Sequence, residues 1–196
     1  MDLAYDHIAE QTYSGDRATT PTPPRGPPDA TTPSDFIKYT IKKGAHYTSQ
    51  DSFVPVDTAE LNFTALFDSS AIYTTTNPQN QYDINKLYGF ADNGALHHEY
   101  SARFGWRWSD GALRLFAYVY NAGHVTSEEL STVPIGTPIR CRIKVASDKY
   151  LFYCNEWIKT LPRAGTTPKG KGYLLYPYFG GDETAPHDVT IWIRNA

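Results

Sequence analysis

From Phe36 to the end of the chain, polar and apolar side chains alternate with a period of two, with no sustained helical period. The runs FIKYTIKK (36–43), ELNFTALF (60–67), HEYSARFGWRW (98–108) and ALRLFAYVY (112–120) read as strands. So do IRCRIKV (139–145), YLFYCNEW (150–157), YLLYPYF (173–179) and DVTIWI (188–193). Turn signals punctuate them at Asp92-Asn93-Gly94, Ser109-Asp110-Gly111 and Ser147-Asp148. The one helical element expected after Phe36 is a single turn at Ser127–Leu130. Many short strands without helices predict an all-β fold, a single antiparallel β-sandwich of jelly-roll type over residues 36–196. Composition agrees, because 15 Tyr, 9 Phe and 4 Trp beside 14 Gly and 14 Pro favour strands and turns. A length of 196 residues suits one domain with a substantial core.

One hairpin can be registered by counting. A two-residue loop at Ser147-Asp148 sets Val145 against Tyr150, Ile143 against Phe152 and Cys141 against Cys154. Arg140, Arg142 and Lys144 then share the opposite face of their strand. The two cysteines come out as neighbours, either as packed thiols or as a strained cross-strand disulfide, and their redox state stays open.

Residues 1–35 differ in kind. Six of the 14 prolines fall between Pro21 and Pro33, in TTPTPPRGPPDATTPSD, which has almost nothing apolar to bury. Such a stretch is an extended, polyproline-like tether. Upstream, MDLAYDHIAEQTY offers a short amphipathic segment after Asp2. Leu3, Ala4, His7 and Ile8 form one stripe, and Leu3, Tyr5, Ile8 and Tyr13 are its candidate docking contacts to other protein chains. The same start lacks the basic and apolar regions of a secretory signal, so the expectation is use without export, or a signal already removed.

Several function classes recede. A formal net charge of −3 gives no footprint for nucleic acid. No apolar run approaches the ~18 residues of a membrane-spanning helix. Two cysteines cannot make a four-thiolate zinc site or a disulfide framework.

The segment IRCRIKVASDKYLFYCNEWIKTLPR resembles the strand, hairpin and strand of concanavalin A-like lectin domains, with a small turn at Asn155-Glu156. The closing HDVTIWI is similar to their last strand, which commonly returns beside the first. LYPYFGGDETAPHDVTI with HHEYSARFGWRW also resembles a group of uncharacterised bacterial and phage β-sandwich proteins. Together these stretches span residues 82–194. The resemblance implies a lectin-like sandwich, a fold that hosts many activities.

Candidate chemistry concentrates on two stretches. In HHEYSARFGWRW, strand alternation puts His98, Tyr100, Ala102, Phe104, Trp106 and Trp108 on the core side. The outer set is His97, Glu99, Ser101, Arg103, Gly105 and Arg107. Retaining glycosidases need two carboxylates about 5 Å apart, and this face holds one, flanked by arginines that would keep it ionised. A lyase, with His97 as base and the arginines neutralising a uronate, is the remaining catalytic option. Tyr118 and Tyr120 share a face of their strand with Arg114 and Phe116. With Trp157 and Tyr178 they offer an aromatic platform for a sugar.

In GGDETAPHD, Asp182, Glu183 and Asp188 can clamp the loop to Arg103 and Arg107. Alternatively they can give oxygen ligands to Ca2+ at residues 180–188. Zinc at His97, His98 and His187 is disfavoured, since neighbours on a strand point to opposite faces.

The expectation drawn from these features is a non-enzymatic display protein. Its arm would anchor it in a large assembly, a phage virion (decoration, fibre or collar protein), with no metal and no catalytic residue. The alternatives are a cell-surface glycan-binding module or, third, a polysaccharide-degrading enzyme.

Overall fold

The structure is a computed structural model and describes residues 35–48 and 50–196. The docking residues Leu3, Tyr5, Ile8 and Tyr13, and nearly all of the tether, lie outside the described residues.

Two six-stranded antiparallel sheets pack face to face. The first runs in the order β1 (Ile37–Ile41), β12 (Val189–Asn195), β3 (Glu60–Phe67), β8 (Ile139–Val145), β9 (Lys149–Cys154), β10 (Trp157–Pro162). The second runs β2 (Pro55–Thr58), β11 (Gly170–Leu175), β4 (Asn85–Ala91), β5 (Tyr100–Ser109), β6 (Ala112–Asn121), β7 (His124–Val133). The last strand returns beside the first, with Ile37 opposite Ile193. Among the described residues, helix is confined to two short 3-10 turns at Ser69–Ala71 and Pro78–Tyr82.

The core lies where the inward sets of both sheets meet. Phe63 and Phe152 from the first sheet contact Phe104 from the second edge to face, with ring centroids 5.6 Å and 5.3 Å apart. Tyr88, Phe90 and Trp106 are fully buried beside them. Edge-to-face contact lets each ring set its positive rim against a neighbour's electron-rich face, so the core gains specificity as well as buried area.

The counted hairpin has the expected register: Val145 pairs with Tyr150, Ile143 with Phe152 and Cys141 with Cys154. Both thiols are buried and free.

The structure corrects several strand expectations. Ser127–Leu130 belongs to strand β7, whose polar sequence HVTSEELSTV follows from its place at a sheet edge, with its outward side chains in solvent. NKLYGFA (β4) carries no strand signal because its side chains are covered on both faces and Gly89 breaks the alternation. YLFYCNEW is not one strand: β9 ends at Cys154 and β10 begins at Trp157, with Asn155 at positive φ in the turn. Likewise β11 stops at Leu175, before Pro177.

Candidate functional site

Strand β5 presents Ser101, Arg103, Gly105 and Arg107 away from the core, paired across the sheet with Tyr120, Tyr118, Phe116 and Arg114 of β6. Such a face would ordinarily stand in solvent. Here Ser101 and Arg103 are buried, at 0% and 6% exposure. They are covered because Thr48 pairs with Ile41 of β1 and Tyr47 with Tyr178, and the chain from Tyr173 to Gly181 rises beside them. The result is a cleft of about 680 Å³ over the outer face of the second sheet.

Glycines make the close approach feasible. Gly89 lies opposite Arg103, and a Cβ there would stand 2.8 Å from the arginine's Cγ. At Gly180, a Cβ would stand 2.4 Å from the carbonyl oxygen of Ile84. Both positions need a bare backbone because another chain segment occupies the space.

The floor of the cleft is cationic and aromatic. Lys86 lies 4.4 Å from the centroid of the Tyr118 ring and Arg103 lies 5.7 Å from it. Arg103 has no carboxylate within ion-pair distance among the described residues, and its Nε, like the hydroxyl of Ser101, has no hydrogen-bond partner. Burial works against the charge of Arg103 and pulls its pKa below the usual guanidinium value. Lys86 donates to the carbonyl of Ile84, and burial together with the nearby Arg103 brings its pKa down to about 8. Burial pushes the Tyr118 hydroxyl above its ordinary value, helped by its contact with Tyr120. A buried guanidinium without a counter-charge is costly, so the geometry favours an anion entering the cleft.

His97 and His98 stand at the wall. They precede β5 in a turn, so strand alternation does not apply to them. His98 is exposed rather than in the core, and the two rings sit side by side with centroids 4.1 Å apart. The Nδ1 of His97 is 2.8 Å from the Tyr173 hydroxyl, which also accepts the His97 backbone N–H at 3.2 Å. The tyrosine oxygen can accept from an Nδ1–H as well as from the backbone N–H, and in that tautomer Nε2 is left unprotonated and able to take up a proton. Burial, then the charge of Arg103 and the neighbouring His98, lowers His97 to about 4, so it is neutral at neutral pH.

Of the sequence-predicted residues, the cleft brings together His97, Arg103, Tyr118, Tyr120 and Tyr178. Glu99 points instead into an adjoining hollow. Arg107 lies over Phe116 and Tyr82 and donates to the Tyr82 carbonyl and the Ser109 hydroxyl. Trp157 is on the other sheet, at the β9–β10 turn, exposed and outside the cleft.

The expected pairing of Asp182, Glu183 and Asp188 with Arg103 and Arg107 does not occur. Glu183 accepts the backbone N–H groups of Thr76 and Asn77 and the side-chain amide of Asn80. Asp188 accepts Lys42 Nζ and the Lys43 N–H. Asp182 is exposed and makes no ion pair among the described residues. The two bonded carboxylates thus serve different segments. Among the described residues no cluster of three His, Cys, Asp or Glu stands ready to hold a metal ion. His187 is bonded to the Ser70 carbonyl, away from His97 and His98.

Lys86, Tyr173, Tyr47 and Phe53 were missed. Lys86 sits on the unpredicted β4, and Tyr173 lies in a run whose faces cannot be told apart by alternation. Tyr47 and Phe53 lie on an irregular segment with no periodic signal.

No protein-family model matches the chain, and no curated protein matches it in sequence. Solved structures share the fold. An alginate lyase, AlyC3, superposes with a TM-score of 0.56 at 8% identity, over 82% of this chain and 74% of its own. SCLam, a non-specific endo-β-1,3(4)-glucanase, gives a TM-score of 0.50 at 10% identity, over 81% and 68%. Sheep galectin-11 aligns at 0.41 and 14% identity, over 74% and 96%. The first two show that the fold resembles concanavalin A-like jelly-roll sandwiches.

Proposed function

We propose that the cleft over β4, β5 and β6 binds an acidic polysaccharide, with Arg103 and Lys86 receiving a uronate carboxylate and Tyr118 and Tyr120 lying against the sugar ring. The observation that carries this is the buried Arg103, which has no acidic partner among the described residues. A carboxylate from the ligand would supply the missing charge, and bidentate geometry would orient it. The tyrosines give the apolar contact and hydroxyl partners that sugars require. Sandwiches of similar fold named for action on alginate and on β-glucan support a polysaccharide as the ligand class.

Affinity electrophoresis of the chain in gels containing a polyuronate, against gels containing a neutral glucan, tests this. Retardation by the polyuronate alone, abolished in Arg103→Ala, is expected. Equal mobility in all gels would overturn it.

A second reading, cleavage by β-elimination, is favoured by the neutral His97 in the same cleft. A base there would take the proton from the uronate carbon next to the carboxylate. The electron pair would form the ring double bond as the carbon–oxygen bond to the leaving sugar breaks, the departing oxygen taking a proton from water, and Arg103 would stabilise the intermediate carboxylate charge. Growth of unsaturated-uronate absorbance, lost in His97→Ala with retardation retained, would establish it. Binding without product leaves a non-catalytic module.

Display on an assembly through residues 1–34, in a virion or at a cell surface, is a separate proposal on residues outside the described ones. Deleting residues 1–34 should leave polyuronate binding intact and abolish incorporation into any parent assembly. Unchanged incorporation would sink the display role.

A further inference from the structure

The cleft does not end at Tyr173. That ring and Phe53, with centroids 5.8 Å apart, border both the cleft and a second hollow of about 700 Å³. Phe53 is 77% exposed and Leu96, across the hollow, is 66% exposed. Large apolar side chains left in solvent on both sides of a depression are poor for a free surface and good for a sugar's apolar face.

The charge of this hollow is opposite to that of the cleft. Asp57 lies directly across from Lys171 in the β2–β11 pair, so those two offset one another. Glu99 also lines the hollow and has no ion-pair partner among the described residues. A carboxylate without a cation repels a uronate and accepts hydroxyl or amide N–H groups. The cleft beside it holds Arg103 and Lys86.

We infer that the second hollow is a further sugar subsite, occupied by a neutral residue of the same chain whose uronate sits on Arg103, so that the ligand is a heteropolysaccharide joining acidic to neutral sugars. The neutral sugar stacks on Phe53 against Leu96, and its hydroxyl or acetamido N–H donates to Glu99. Tyr173 is the saddle between the two subsites, tied to His97 on the cleft side. This rests on the acidic-glycan reading above.

The experiment measures affinities of the full chain for two hexasaccharides of similar length. One is all uronate, from alginate; the other alternates uronate with N-acetylhexosamine, from hyaluronan. The alternating hexasaccharide should bind about tenfold more tightly, the scale of one stacked ring with its hydrogen bond. Leu96→Ala should erase most of that preference while leaving the alginate affinity unchanged, because Leu96 lines the hollow and not the cleft, and its exposure spares the fold. Glu99→Gln should narrow the gap by admitting the uronate-only chain.

Equal affinities in the parent chain, or a preference that survives Leu96→Ala undiminished, would overturn the subsite while leaving the cleft reading intact. Failure of the parent chain to bind either hexasaccharide, or binding unaffected by Arg103→Ala, would overturn both.

Discussion

Gly89 stands directly opposite Arg103 in the β4–β5 pair, and a Cβ on it would lie 2.1 Å from the carbonyl oxygen of Ala102 as well as against the arginine's stem. The first contact is with backbone, which cannot yield without moving β5. Gly89→Ala should therefore lift Arg103 from its seat as well as strain the sheet. The overpacking cost is about 1–3 kcal/mol, read as a fall in the urea midpoint. Polyuronate affinity should fall further than the loss of folded protein explains. Full affinity in the folded variant would show that the bare backbone at position 89 does not seat the guanidinium.

Lys86 predicts a proton coupling. Its pKa in the free protein is about 8, below the ordinary 10.5. A carboxylate placed beside it would raise that value again, so binding above about pH 8 must take up a proton, and affinity must fall as pH rises through that range. Calorimetry near pH 9 in buffers of different ionisation enthalpy should show the uptake. It should vanish in Lys86→Met. For the free protein the sign is opposite: between about 8 and 10.5 the unfolded lysine holds its proton and the folded one does not, so stability rises with pH across that window. A buffer-independent heat near pH 9 would rule out carboxylate contact with Lys86.

The sandwich was legible because its two inward sets are apolar at every second position, as in IRCRIKV, where Ile139, Cys141, Ile143 and Val145 are all buried. β4 and β7 were not. β4 is covered on both faces, so its pattern carries no alternation, while β7 is an edge with much of its length in solvent. The candidate site was legible only as a row on β5 and β6, which picked out Arg103, Tyr118 and Tyr120. What turns that row into a cleft is the segment from Tyr173 to Gly181 folding over it, a long-range placement with no local signature. The same limit explains the arginine clamp. Matching Asp182, Glu183 and Asp188 to Arg103 and Arg107 by charge alone overlooked the free backbone N–H groups of Thr76 and Asn77, which Glu183 takes instead.

The facing thiols give a third prediction. Burial drives Cys141 well above its usual pKa, and Cys154 up to about 11, with Glu156 adding to the latter. Little thiolate exists at neutral pH and the sulfurs are out of solvent, so neither should be alkylated by iodoacetamide in the native protein. Both should react once the chain is unfolded in denaturant, as read by mass spectrometry. Prompt labelling of the native protein, or a mass short by two hydrogens with no labelling when unfolded, would contradict the free, packed thiols.

The strongest stability prediction comes from the other end of β4. Asp92 and Arg163 are both inaccessible to solvent, with Nε donating to the carboxylate at 2.8 Å. The same carboxylate accepts the Tyr150 hydroxyl at 2.5 Å and the backbone N–H groups of Lys171 and Asn93 at 2.9 Å and 2.6 Å. One buried group thus joins β4 to β9 of the facing sheet and to the start of β11. Burial alone would raise its pKa, but the hydrogen bonds from Arg163, Tyr150 and the backbone outweigh that and leave it below the ordinary 3.8. A depressed carboxylate contributes stability above its unfolded pKa, and that contribution is lost as pH falls through the folded value, so it should fade only below about pH 4. Asp92→Ala removes the anion and strands a buried guanidinium, at a cost of about 3–5 kcal/mol. Replacing both partners with apolar residues, Asp92→Leu with Arg163→Met, should cost less than the single change, because no charge is left unpaired. Urea denaturation of the three proteins at neutral pH checks the order. A single variant as stable as the parent would mean that solvent reaches this pair in solution.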